Sequence, residues 1–314
     1  MAIFEFASSK RFDVVGFGTN AVDFLIEVPA YPEFNSKIEL SDYKQLAGGE
    51  AASTMAGLQR LGLSTAYAGR FGSDAAAHIG INSLVIEGVD TQFVERVPSA
   101  TTQIAFIIVD ERSGERTVIW KRDKKLAYCP EDAPVEAARQ CKILHITPHD
   151  TAACIVMAEA AAAAGAYVSI DIDNLFDGIE ELLPLVDIFV SSADLPGRLA
   201  GDMPLNDALS VLTARYGFKL ACATLGEAGS LVLVGGEIIE TKGFAVPGGC
   251  VDTTGAGDAF RAGLLYGLLT GRTISESAEY ANAVAALKCR QIGARTALPD
   301  DKELFALLKN AGRE

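Results

Sequence analysis

"VDTTGAGDAF", residues 251–260, sets Asp252 and two threonines ahead of Gly255-Ala256-Gly257, then a second carboxylate, Asp258, and a run of helix formers. It reads as a helix start left open to a ligand. The first turn of a helix has N–H groups without partners and carries partial positive charge. Glycines let a ligand approach that backbone closely. Such an end can hold a phosphate or a developing anion, and Asp258 beside it can take a proton from a hydroxyl. A Gly-rich turn whose carboxylate only complements the helix dipole fits the same letters, so chemistry alone leaves both readings open.

The text upstream sets the frame for this turn. "CKILHIT", "AYVSIDID", "DIFVSS" and "KLACATLG" read as strands, with helical stretches between them such as "DTAACIVMAEAAAAAG" and about 205–215. Strands alternating with helices of that length imply a parallel sheet covered on both faces. "RFDVVGFG" supplies an earlier strand and "GGEAASTMAGLQRLGL" a helix with Met55, Leu58 and Leu61 on one face. Residues after Gly257 read as mostly helical. Two strand-rich pieces break the rhythm, at about 20–46 and 98–125. They predict one small sheet against the main body, a lid on a single domain over 1–314. In the second piece 103–109 and 115–120 read as a hairpin, with its turn at Asp110 to Gly114.

Other glycine-rich turns could serve a ligand. "TLGEAGS", 224–230, follows a strand, and in an open α/β sheet ligands sit beyond the C-terminal strand ends. Thr224, Gly226 and Gly229 could border nucleotide phosphates there, or merely form a connection into the hairpin "LVLVGGEII". Asp23 and Gly48-Gly49 lie at the edges of the proposed lid, where a carboxylate could take two hydrogen bonds from a polar substrate. "VVGFGTNA" mimics a dinucleotide fingerprint, but Pro29 and Pro32 follow where a helix is required, which speaks against a dehydrogenase. His145 and His149 read as core or turn residues.

The chain has 314 residues, 41 Asp plus Glu against 27 Lys plus Arg, and a net charge of −14. That balance disfavours nucleic acid and anionic membrane as partners. The six cysteines are scattered without a CxxC pair, and no signal peptide is evident, so a cytoplasmic setting is expected.

Together these pieces resemble the ribokinase/PfkB family of carbohydrate kinases, from about Phe12 to Pro299. "VDTTGAGDAF" is similar to its C-terminal signature, "AGGEAASTMAGLQRLG" with "AGRFGSDAAAHIGINSLVIEGVDT" to its N-terminal one, and "TLGEAG" to its nucleotide loop. The resemblance implies a three-layer α/β/α fold, with a mostly parallel central sheet and a small β-sheet lid. It implies transfer of the ATP γ-phosphoryl group, with Mg²⁺ and in some relatives a monovalent cation, to a sugar hydroxyl. Asp258 would be the base, and the amides of Gly255, Ala256 and Gly257 the anion hole. Asp23, Gly48, Gly49 and Ser53 would face the sugar. Thr224, Gly226, Gly229 and Asn282 would flank ATP.

Departures from the family pattern narrow this expectation. Ser53 stands where many members have Asn. "SSAD" (Ser191, Ser192, Asp194) replaces Asn-x-x-Glu, which leaves the metal ligands unassigned, and "DIDNLF" lacks an Arg. The lid and tail look more like the ketohexokinase and sulfofructose-kinase branch, and so point to a ketose. Arg70, Lys121 and Arg122 are candidates for contacting a charged group on the sugar. A nucleoside acceptor would want an aromatic ring on the lid, which Tyr31, Phe34 or Tyr43 could supply. An inactive relative that only binds sugar or nucleotide is the other alternative. The exposed lid edge is a natural place for a second copy to pair, so a homodimer is expected.

Overall fold

The structure is a computed structural model and describes residues 3–113 and 116–313. The thirteen strands are β1 (Phe12–Phe17), β2 (Ala21–Val28), β3 (Asp42–Gly48), β4 (Thr65–Phe71), β5 (Asp90–Arg96), β6 (Ile104–Asp110), β7 (Arg116–Lys121), β8 (Cys141–Ile146), β9 (Tyr167–Ile172), β10 (Ile188–Ser192), β11 (Leu220–Thr224), β12 (Ser230–Val234) and β13 (Glu237–Thr241). The α-helices are α1 (Glu50–Arg60), α2 (Ala75–Glu87), α3 (Val135–Arg139), α4 (Thr151–Ala163), α5 (Ile179–Leu182), α6 (Leu195–Ala200), α7 (Leu205–Tyr216), α8 (Ala256–Leu269), α9 (Ile274–Lys288) and α10 (Asp301–Asn310).

Nine strands form the main sheet in the order β13-β12-β11-β10-β9-β8-β1-β4-β5. All neighbours are parallel except the β11–β12 and β12–β13 pairs. Helices cover both faces, so successive residues of a central strand are buried on opposite sides. Val14 packs with α1 and α8, while Val15 packs with α3 and α4, and both are fully buried. That explains why these strands read as continuous apolar runs. Each fully buried Leu, Ile, Met or Phe contributes about 1.5–3 kcal/mol.

The other four strands form the expected small sheet, β3-β2-β6-β7, with β2 and β6 parallel and the outer pairs antiparallel. Its inner face carries Asp23, Leu25, Ala105 and Ile107, and Ile292 of the main body packs there. Gly114, in the turn expected between β6 and β7, lies outside the described residues. The sequence reading did not name β5 or α6. Strand β5 is an edge strand with a bulged register on β4, so its burial pattern is ragged.

Helix starts fall into two kinds. Asp74, Thr273 and Asp300 cap α2, α9 and α10 with their own side chains, the last two as reciprocal capping boxes with Glu276 and Glu303. Helices α8 and α1 begin instead at Gly255 and Gly49, without a side-chain cap. Among the described residues no helix is long and apolar enough to cross a membrane.

Candidate active site

Gly255 takes a left-handed conformation, φ 77°, and turns the chain into α8. A side chain there would press on Ala294, whose Cα lies 2.8 Å from the position of a Cβ. The backbone therefore needs glycine twice over, for its torsion and for this close approach. The expected three-amide hole is not uniform. The Ala256 N–H donates to the Thr253 carbonyl at 3.1 Å and closes the turn. The structure thus gives the Ala256 amide to the turn and leaves its two glycine neighbours, Gly255 and Gly257, without a backbone acceptor among the described residues.

Asp258 sits in the first turn of α8, buried. Burial, and then repulsion from Glu50, pushes its carboxyl up to about 7, against the pull of Arg261 and Arg295. Glu50 is raised for the same reasons, burial first and then Asp171 and Asp173. Arg261 forms a buried ion pair with Asp171. The sequence departure at 171–176 thus has a structural answer: the cation missing from that strand end arrives from α8.

Asp23 projects from β2 toward the body. Burial raises its carboxyl to about 6, Arg295 opposes this, and Asp252 adds to it. Gly48 makes room for it, since a Cβ there would lie 2.2 Å from Asp23 Oδ2. Ser53 does not act alone. Its Oγ accepts from Arg295 Nε at 3.1 Å, and the same guanidinium donates to Ser83 Oγ at 3.1 Å and to the Gly48 carbonyl at 2.5 Å. Burial lowers Arg295 to about 10, so it remains a cation at neutral pH.

The sequence reading missed Arg295 and the loop around it. Ile292 packs under the lid, the Gly293 N–H donates to Asp252 Oδ2 at 2.8 Å, and Ala294 backs Gly255. One short loop therefore joins lid, α1 and the turn before α8. Its signal was a Gly and an Arg interrupting an otherwise helical tail. Asn20 was missed as well. Its Nδ2 donates to Tyr67 Oη at 2.9 Å and to the Arg70 carbonyl at 3.0 Å, and its buried Oδ1 is an unused acceptor.

The expected nucleotide residues come together. Thr224, Gly226, Gly229 and Asn282 line a cavity of about 810 Å³ that reaches Ala256 and Gly257. Phe244, Val246 and Phe260 supply apolar wall for a base. Asn282 Nδ2 is held by Ser230 Oγ and the Ala278 carbonyl, both at 2.9 Å. That volume lies in the range of small-molecule sites, 300–1,000 Å³.

The three cations expected to greet a charged substrate are placed otherwise. Arg70 pairs with Glu95 and Asp132 and lies over the Tyr128 ring. Arg122 holds Asp150 through both terminal nitrogens, at 2.9 and 2.6 Å. Lys121 pairs in register with Ile104, on the sheet face opposite Asp23. Of the lid aromatics, Tyr43 also lies on that outer face, with its ring 6.2 Å from Phe24. Phe34 is fully exposed. His145 is a core residue, with Nδ1 3.2 Å from Ser169 Oγ.

Sequence comparison now decides the lineage. Residues 12–301 match the pfkB family of carbohydrate kinases. The chain belongs to that family. This kinase is 31% identical over 258 residues to a sugar kinase, described as uncharacterized, of Archaeoglobus fulgidus; the match covers 77% of this chain and 98% of the relative. It is 30% identical over 282 residues to a fructokinase of Klebsiella pneumoniae, covering 83% and 91%. Among solved structures, Arabidopsis thaliana ribokinase complexed with ribose and ATP superposes with a TM-score of 0.82, at 26% identity, over 95% of this chain and 99% of that one. This kinase is accordingly an ATP-using phosphotransferase with an alcohol acceptor.

Two cofactors implied by the family can be tested against these residues. Mg²⁺ needs few protein oxygens when it travels with a triphosphate. Among the described residues no group of three or more His, Cys, Asp or Glu side chains is gathered to hold a metal ion, and Asp171 is already paired with Arg261, so a resident Mg²⁺ site is not formed by these residues alone. A monovalent cation at the turn before α8 does not fit. The buried Lys288 ammonium already donates to the Asp252 carbonyl there at 2.8 Å, 3.8 Å from the Asp252 carboxylate.

Proposed function

We propose that this kinase transfers the γ-phosphoryl group of ATP to a hydroxyl of a ketose or related sugar, with Asp258 as the base. The observation that carries this reading is the open start of α8, where a proton-accepting carboxylate stands beside two uncommitted amides. Asp23, with Gly48 against it, orients the sugar, Gly49 packs on the Asn20 backbone beside it, and the unused Asn20 Oδ1 is an acceptor for a further hydroxyl. Asp258 takes the proton from the attacking hydroxyl. Its raised pKa makes it a better base than an ordinary carboxylate near neutral pH. The Gly255 and Gly257 amides receive the charge of the migrating phosphoryl group. Mg²⁺ carried in with ATP would supply neutralisation of the triphosphate. Catalysis by this set is positioning and electrostatics, which phosphoryl transfer allows.

The small sheet serves as the lid, which excludes water from the transfer. Its outer face supports assembly into a homodimer. Phe24 and Phe106 rings lie 5.0 Å apart there, and Phe106 and Ile119 are exposed, with no described residue covering them. The six unpaired thiols accord with a cytoplasmic setting.

ADP release across a panel of sugars and nucleosides tests the function. Turnover with a ketose is the expected result. Turnover confined to adenosine or inosine overturns the acceptor, and ATP binding without turnover on any member overturns the activity.

A further inference from the structure

We propose that Trp120, on the inner face of the lid, is an acceptor-contacting residue that stacks its indole on the C–H face of an uncharged sugar. The inference rests on the kinase reading above and deepens it.

Side chains alternate along a strand, so Arg116, Val118 and Trp120 of β7 share one face. Two contacts show which way that face looks. Arg116 Nη1 lies 2.5 Å from Thr253 Oγ1 and 3.7 Å from Asp252 Oδ1, at the turn before α8. Arg122, one residue beyond the strand on the same alternation, holds Asp150 at the far side of the cleft. Val118 and Trp120 stand between these two anchors and face the gap that they span. They are nevertheless 49% and 60% exposed, so among the described residues no protein group fills that gap.

The register places this gap at the sugar site. Asp23 pairs with Ala105, and Ala105 pairs with Trp120, so all three lie in one row of the inner face. Two strand spacings put the Asp23 and Trp120 backbones about 10 Å apart. A sugar ring held at Asp23 is therefore within reach of the indole. A carboxylate that accepts hydroxyls, opposite an aromatic face that covers carbon, is the chemistry of a neutral sugar site. Arg116 and Arg122, which flank the row, and Arg70 are each paired with a carboxylate, so none of these three stands free for a phosphate or sulfonate. The lid aromatic sought in the loop at Tyr31 and Phe34 and in β3 stands instead in β7.

Trp120 is the chain's single tryptophan, so its emission reports this site alone. The test titrates the full-length kinase with D-fructose, D-ribose, D-fructose 6-phosphate and adenosine, and follows emission and ADP release on each. A neutral sugar should change the emission saturably. Trp120→Ala should raise KM for that sugar about tenfold with kcat nearly kept, and Trp120→Phe should restore most of the loss. Silent emission at saturating acceptor, with KM in both variants within twofold of the parent, overturns the assignment and leaves the kinase reading intact. An emission change with no ADP release keeps the assignment and overturns the kinase reading. Silence in both overturns both. Preference for D-fructose 6-phosphate or adenosine overturns the neutral-sugar class.

Discussion

The two sheets of this molecule are built to different rules. The nine-stranded sheet is covered on both faces, and its central residues, such as Val14 and Val15, are wholly buried. The four-stranded sheet packs Leu25, Ala105 and Ile107 inward, leaves Trp120 half-open over the cleft, and turns Phe24 and Phe106 outward. The first is a closed core against which α1 and α8 pack. The second leaves apolar side chains exposed on both of its faces. Changes in the body should therefore strike turnover and folding, and changes in the lid should strike affinity and assembly.

Asp258→Asn is the severest test of that division. It should lower kcat on the order of 10³-fold, within the range for lost acid–base catalysis, while ATP binding by calorimetry is kept. A near-normal rate would falsify the role of the base. Lys288→Met comes next. It removes one partner of a buried charge contact and should cost about 3–5 kcal/mol of stability, read as a fall in Tm. The parent enzyme should turn over equally in potassium and sodium salts, because its cation is covalently attached; a strict potassium requirement would contradict this.

The pH profile separates the two carboxylates from bulk effects. Asp258 must be ionised to act, so kcat/KM should rise as pH increases through about 7. Arg295 favours the ionised forms of both Asp23 and Asp258. Arg295→Met should therefore move the acidic limb to higher pH, and an unmoved limb would reduce Arg295 to packing. The same raised carboxyls fix the sign for stability. Their folded pKa values exceed the ordinary ones, so their contribution is complete at about pH 4 and is lost as pH rises through about 7. The smallest effect is expected on the lid's outer face. Ile119→Lys should shift sedimentation from dimer to monomer and change folding stability by no more than about 0.5 kcal/mol.

The sequence by itself determined the alternating body, the interrupting small sheet, and the turn at Gly255-Ala256-Gly257-Asp258. Those features are local: periodicity, glycine at a forced torsion, and a carboxylate at a helix start all act over a few residues. It also marked Thr224, Gly226 and Gly229 as a strand end, and the structure places all three in the lining of one cavity. Only the tertiary structure decided which amides stay free, since the Ala256 N–H finds its acceptor by the actual closure of the turn. It alone revealed Arg295, 242 positions from Ser53 in sequence and 3.1 Å from it in space. It alone showed that Arg70 and Arg122 are spent on carboxylates, and that Trp120 rather than Tyr43 faces the cleft. The reason is common to all of these. A side chain's charge and size are written in the sequence, but its partners are whatever the folded layers bring within a few ångströms, and a strand's inward face is settled only by what it packs against.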